Sequence, residues 1–206
     1  MPKSVNIVVE DSLSNAILTT LLNANGGHKV AGSYPIKSSW ENGILQTGYG
    51  YIKKNLPAFN KASEVTPFVV LFDQDDRPCP IQTINDWLQG QNKHHNLVIR
   101  VAVKEVEAWL IADRSGLAEF LSVPKKSITL EPELLSDPKA YIVQLAKNSQ
   151  SSIVRQDIAP GPRSSATTGP YYTRALANFA RTSWDFHEAA TRSQSLARAI
   201  ANISTL

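Results

Sequence analysis

Residues 66–76 read TPFVVLFDQDD, and this stretch decides the fold. An uninterrupted apolar run from Pro67 to Phe72 is what a strand covered on both faces requires, and such strands belong to parallel sheets lying between helices. The run stops abruptly in acid, at Asp73, Asp75 and Asp76. Toward the N-terminus, residues 4–10 (SVNIVVE) form a second β-branched run that also ends in acid, at Glu10. The segment after it carries apolar residues at helical spacing, with Asp11 or Ser12 as its cap and Gly26-Gly27 as its stop, and residues 28–33 predict the next strand. Toward the C-terminus, residues 81–89 predict a short helix and residues 97–103 (LVIRVAV) a strand interrupted only by Arg100. Strands and helices alternate. That order predicts an α/β, Rossmann-like, largely parallel sheet flanked by helices, with ligands at the carboxyl ends of the strands.

The remaining segments are read from their breakers. Residues 34–61 lose the pattern: Gly43, Gly48 and Gly50 predict a loop, and residues 51–63 a helix interrupted near Pro57. The run EVEAWLIADRSGLAEFL after Lys104 predicts one helix. Pro124, Pro132 and Pro138 then cut the chain into short pieces, and Asp137-Pro138 opens a helix to about Lys147. Residues 156–170 predict a long loop, followed by helices over 172–182 and 186–203. The expected organisation is an α/β core over 1–122 and a mostly helical extension packed on it over 123–206.

Composition bounds the function. The chain has 206 residues, 42% hydrophobic and 19% charged, as a folded chain with a real core requires. Its single cysteine, Cys79, excludes an intramolecular disulfide and a Cys-rich zinc site. No apolar run approaches the roughly 18 residues of a membrane-spanning helix, and no leader pattern opens the chain. The cytoplasm is the expected compartment and no membrane partner is expected. The net charge of +3 is unevenly spread: residues 1–137 hold 13 basic against 15 acidic side chains, and residues 138–206 hold 8 against 3. The Arg155 to Arg163 segment in that basic part is a candidate contact for nucleic acid, beside the plainer reading of a solvated basic surface.

The acids point to chemistry because of where the sheet would put them. Glu10 and the Asp73/Asp75 pair end two buried strands, and Glu105 and Glu107 follow a third. Two unit charges about 4 Å apart repel by roughly 1 kcal/mol even in bulk water. A hard cation offsets that repulsion, and Mg²⁺, with Mn²⁺ as a substitute, takes one or two carboxylates plus waters and a substrate phosphate. In an extended segment Asp73 and Asp75 point the same way and can address one metal. A solvated turn before Pro78 and a cap on the first helix are the plainer alternatives. Arg100 and Lys104, which share a strand face by parity, are candidates for meeting a phosphate or neutralising the acids. On a helix, Glu107 is expected at the rim of a cleft as a further acid, and Trp109 in the core.

A strand ending in Glu, then a strand followed by Asp-x-Asp, resembles the motif pattern of the Toprim fold of topoisomerases, bacterial primases and OLD-family nucleases. The segments VVLFDQDDRPCP, IRVAVKEVEAWLIAD and the later DPK resemble more closely a family of small bacterial Toprim-like proteins of unknown function, some encoded beside ABC-type ATPases. The resemblance implies a general acid/base or ligand at Glu10 and Mg²⁺ ligands at Asp73 and Asp75. It also implies nuclease or related phosphoryl-transfer activity on nucleic acid, in bacterial defence with an ATPase partner. Many Toprim domains place Gly after the motif Glu, where this chain has Asp11, and no tyrosine stands in a topoisomerase context. Phosphodiester hydrolysis is what remains. Two rivals are a catalytically silent subunit that binds a partner and a phosphoacceptor module of the receiver kind. Against the receiver, only about 30 residues separate Asp73 from Lys104, one strand and one helix too few.

Overall fold

The computed structural model describes residues 3–25, 27–35, 40–41, 44–45, 48–77 and 79–206. The chain divides into two compact units, Met1–Ala102 with Arg198–Leu206, and Val103–Ala197. The first unit is built on a four-stranded sheet of β1 (Ser4–Val9), β2 (Lys29–Tyr34), β5 (Phe68–Asp73) and β6 (Leu97–Ala102), all parallel, in the order β2-β1-β5-β6. A two-residue antiparallel pair, β3 (Trp40–Glu41) and β4 (Ile44–Leu45), lies between β2 and β5 in the chain. The α/β class and the largely parallel sheet are therefore as the strand pattern predicts. Residues 36–39, 42–43 and 46–47, within the predicted loop, lie outside the described residues, as does Pro78.

The sheet is covered on both faces, which explains its apolar strands. On one face, Ile52, Leu56 and Phe59 of α2 (Gly48–Ala62) and Trp87 of α3 (Pro80–Trp87) form a buried cluster with Val8, Phe68, Val70, Phe72 and Ile99. On the other, the alternate residues Ile7, Val9, Val69 and Leu71 are also buried, and α1 (Ser12–Ala24) contributes Leu13, Ile17 and Leu21. Asp11 caps α1 by accepting the Ser14 N–H at 2.8 Å. Two expectations about α2 fail: it begins at Gly48 rather than Tyr51, and it runs through Pro57. A proline inside a helix costs about 3 kcal/mol, and the buried stripe Ile52, Leu56 and Phe59 offsets it.

The second unit is helical. It comprises α4 (Glu107–Ala112), α5 (Arg114–Leu121), two 3₁₀ turns (Lys125–Ser127 and Pro132–Leu134), α6 (Pro138–Lys147), α7 (Ser152–Ile158), α8 (Tyr172–Thr182), α9 (Phe186–Ala190) and the start of α10 (Gln194–Ile203). From Arg198 onward α10 belongs to the first unit, where Asn25 Nδ2 donates to Ile200 O at 2.9 Å. The expected division after residue 122 therefore differs from the compact units, because α4 packs with α6 and α9. Asp137 caps α6 through the Ala140 N–H, as its Asp-Pro start predicts.

The two long helices of the sequence reading each break at a carboxylate. Asp113 ends α4 and caps α5, accepting the Gly116 N–H at 2.9 Å on one oxygen and the Asp185 N–H at 2.9 Å on the other. Glu133 holds the start of α10, accepting from the Ser195 N–H at 2.9 Å and the Ser193 hydroxyl at 2.7 Å. These bonds satisfy helix-end donors that a continuous helix would not expose. Asp113 is 1% exposed, so its loss leaves a buried site without its acceptor and takes the partner from the Gly116 and Asp185 N–H groups. Asp113→Ala is expected to lower the stability of the protein by about 2–4 kcal/mol, and Asp113→Asn by roughly half as much. Urea denaturation followed by circular dichroism measures both.

Candidate functional site

In a parallel sheet of this order the chain leaves β1 to one side through α1 and returns to the other side through α2, so the topological switch point, where such folds form a crevice, lies between the carboxyl ends of β1 and β5. Glu10 follows β1 directly and Asp73 is the last residue of β5. These strands are hydrogen-bonded neighbours, with Val9 paired to Leu71. Two of the sequence-predicted acids therefore meet at the switch point. The Gly48 N–H, at the start of α2, donates to the Glu10 carbonyl at 3.4 Å, so the helix N-terminus stands at the same edge and its dipole favours an anion there.

Glu10 is strongly perturbed by its surroundings. Burial, and then the charge of Asp75, push its pKa up to about 7, while Arg77 and the Asp73 backbone N–H that donates to it pull the other way. Its Oε1 is buried and has no hydrogen-bond partner among the described residues. A buried polar atom without a partner is costly.

Asp75 departs from the extended geometry expected of it. It lies in a turn with φ of +50°, a left-handed conformation that Asp tolerates better than most residues, so the alternation that would align it with Asp73 ends at the strand. Its partner is Arg77, whose Nη1 lies 3.0 Å from Asp75 Oδ2 and donates to the carbonyls of Asp73 at 2.6 Å and Gln74 at 3.1 Å. Arg77 thus ties the DQDDR turn together and places a positive charge among the acids. The sequence reading missed it. The signal was a cation two residues beyond Asp75 in the same short turn. Among the described residues, no three His, Cys, Asp or Glu side chains come together closely enough to hold a metal ion by themselves.

The other candidates are placed differently. Arg100 is half-buried in the first unit, with Nη1 3.4 Å from the Arg198 carbonyl, and burial beside Arg198 holds its guanidinium below the usual value. Because β6 ends at Ala102 and Lys104 has φ of +60°, the parity that aligned Lys104 with Arg100 stops before Lys104. Glu107 is not at a rim: it is 2% exposed, accepts the Tyr172 hydroxyl at 3.2 Å and lies 3.8 Å from Lys139 Nζ. Burial and the neighbouring Glu107 raise the Tyr172 pKa, so the phenol keeps the proton it donates. Glu105 accepts the Lys139 N–H at 3.0 Å, and Trp109 is fully buried with Nε1 donating to Ser195 Oγ at 2.7 Å. Arg155 is exposed and donates to the Ser149 carbonyl, and Arg163 is exposed in the loop after α7.

Comparison with protein families, curated proteins and solved structures finds no match. The chemistry of the site therefore rests on its own geometry.

The raised pKa of Glu10 has a consequence for stability. The unfolded carboxyl ionises near 4.5 and the folded one near 7, so stability is fully present below pH 4.5, falls as pH rises between these values, and stays level above. Glu10→Gln removes that loss. After allowance for solvent screening the variant should exceed the wild type by ~1–2 kcal/mol at pH 8 and match it at pH 4, in metal-free urea denaturation.

Proposed function

We propose that the chain is a Mg²⁺-dependent phosphodiester hydrolase acting on nucleic acid, with the crevice at Glu10 and Asp73 as its centre. The observation that carries this reading is the buried, unpartnered Glu10 Oε1 at the end of a strand bonded to the one that ends in Asp73. The residues fit a hard cation of low protein-ligand count, since Mg²⁺ commonly takes one or two carboxylates and completes its shell with water and substrate phosphate. Asp73 and Asp75 would hold it, Asp75 on exchange from Arg77. When bound, the ion would orient the phosphate and stabilise the leaving oxygen. Glu10, held near neutrality in its pKa, takes the proton of the attacking water and can return it to the leaving group. Arg77 and the N-terminus of α2 attract the anionic substrate to the crevice. The resemblance to small bacterial Toprim-like proteins supports the same roles, and extends them to an ATPase partner in defence.

A specific observation favours a second reading. Asp75 is paired with Arg77, so the turn is already neutralised in part without a cation, as a catalytically silent, partner-binding subunit would have it. Calorimetric titration of the metal-free protein with Mn²⁺ separates the two. The hydrolase reading expects saturable binding that Asp73→Ala and Asp75→Ala each weaken at least tenfold, with Asp73→Ala abolishing Mg²⁺-dependent cleavage of nucleic acid while its melting temperature stays near wild type. Absence of Mn²⁺ binding would turn the assignment to the silent subunit, and normal cleavage by Asp73→Ala would overturn this crevice as the catalytic centre.

A further inference from the structure

Beside the acidic crevice, and sharing Arg77 with it, the first unit contains a cavity of about 320 Å³ that the roles above do not use. Its lining combines two kinds of group. Tyr49 and Trp87 lie nearly parallel, with ring centroids 6.4 Å apart and planes inclined by 24°, and the Arg77 guanidinium lies 4.3 Å from the Tyr49 ring centre. Trp87 is buried and fixed against Phe72, at 4.8 Å, whereas Tyr49 is 50% exposed. Lys53 and Arg77 supply positive charge, and Gln82, Thr83 and Asp86 supply hydrogen-bonding groups.

The start of α2 explains this arrangement. Because the helix begins at Gly48, Tyr49 sits in its first turn and Lys53 lies one turn on, at i+4, on the same face. Ile52 and Leu56 anchor the neighbouring stripe in the core, so the face carrying Tyr49 and Lys53 is held in a fixed direction. On the opposite side, α3 presents Gln82, Thr83 and Asp86 from one short helix. An exposed aromatic ring on a rigid platform with cations beside it is the combination that stacks a nucleobase and neutralises its phosphate.

We propose that this cavity binds one nucleotide of a single-stranded nucleic acid, with the base stacked on Tyr49, its phosphate between Arg77 and Lys53, and its edge facing Gln82, Thr83 and Asp86. The proposal rests on the reading of the chain as a protein that acts on nucleic acid, and it names the subsite next to the reacting phosphate. Arg77 bridges the two: its Nη1 holds the DQDDR turn, and a guanidinium has five donors in all, more than that one nitrogen supplies. A strand stacked on Tyr49 passes its neighbouring phosphate toward Glu10 and Asp73. The subsite needs no metal.

The test uses the full-length chain in EDTA, with a fluorescein-labelled hexathymidylate and an abasic hexamer carrying the same phosphates, read by fluorescence anisotropy. Stacking on an aromatic side chain is worth ~1–3 kcal/mol per base, so the wild type should bind the hexathymidylate about tenfold more tightly than the abasic strand. Tyr49→Ala should erase that preference, Tyr49→Phe should keep it, and Lys53→Ala should weaken both strands alike. Tyr49 is half in solvent, so circular dichroism of its variants should match the wild type. No binding, equal binding of the two strands by the wild type, or an undiminished preference in Tyr49→Ala would overturn the proposal. Cleavage assays in Mg²⁺ keep the two readings apart. Base-dependent binding without cleavage sinks the hydrolase and leaves the subsite standing, and cleavage without base preference does the reverse.

Discussion

The parallel pairing of β1 with β5 is the constraint on which the rest of the first unit depends. Both strands are bonded on two sides and buried on two faces, so neither can carry a polar side chain along the paired length from Ile7 to Val9 or from Val69 to Phe72. Acidic side chains are admitted only where the pairing ends. Parallel register brings those ends to one edge of the sheet, which is why Glu10 and Asp73, 63 positions apart in the chain, share a crevice. An antiparallel pairing of the same strands would have put them at opposite edges.

Bringing acids to one edge has an electrostatic cost, and the structure distributes it unequally. Asp11 turns to the α1 N-terminus and satisfies the Ser14 N–H. Asp75 turns to Arg77 at the expense of a left-handed backbone, a strain of order 1 kcal/mol. Glu10 has neither outlet. It keeps one bond from the Asp73 N–H and an orphaned oxygen, and so it holds its proton to about pH 7. Of these three acids, Glu10 is the one with a buried oxygen that no described group bonds.

Much of this was legible in the sequence because apolar continuity is a strong signal. TPFVVLF and SVNIVV stop at acid, and the parallel sheet converts those stops into a place. What was not legible depended on tertiary partners. The run EVEAWLIADRSGLAEFL has helical periodicity throughout, and only the Asp185 N–H, 72 residues away, shows why Asp113 interrupts it. Glu107 has the spacing of a rim residue, but Tyr172 and Lys139 close over it. Asp-x-Asp reads as an aligned pair only if the strand continues, and Arg77 curls the chain before it can. Pro57 and the glycines near residue 48 argue for interruption locally, and a buried stripe from Ile52 to Phe59 overrides them.

Arg77 is the point at which these arguments join. On the proposed hydrolase reading, a cation supplied by the chain and a cation from solution would compete for the same carboxylate, and the outcome would turn on desolvation as much as on charge. Half-exposed Asp75 loses little when its guanidinium is exchanged for a hydrated divalent ion, since surface pairs are worth only ~0–1 kcal/mol. Arg77 would retain its backbone bonds to Asp73 and Gln74 and its position over Tyr49, so release of the ion pair need not unfold the turn. A guanidinium released from Asp75 but still anchored between the aromatic face and the strand end would be placed to meet a phosphate on that reading. On the proposed reading, one residue would in that way neutralise the acids in the free protein and contact an anion that brings its own counterion.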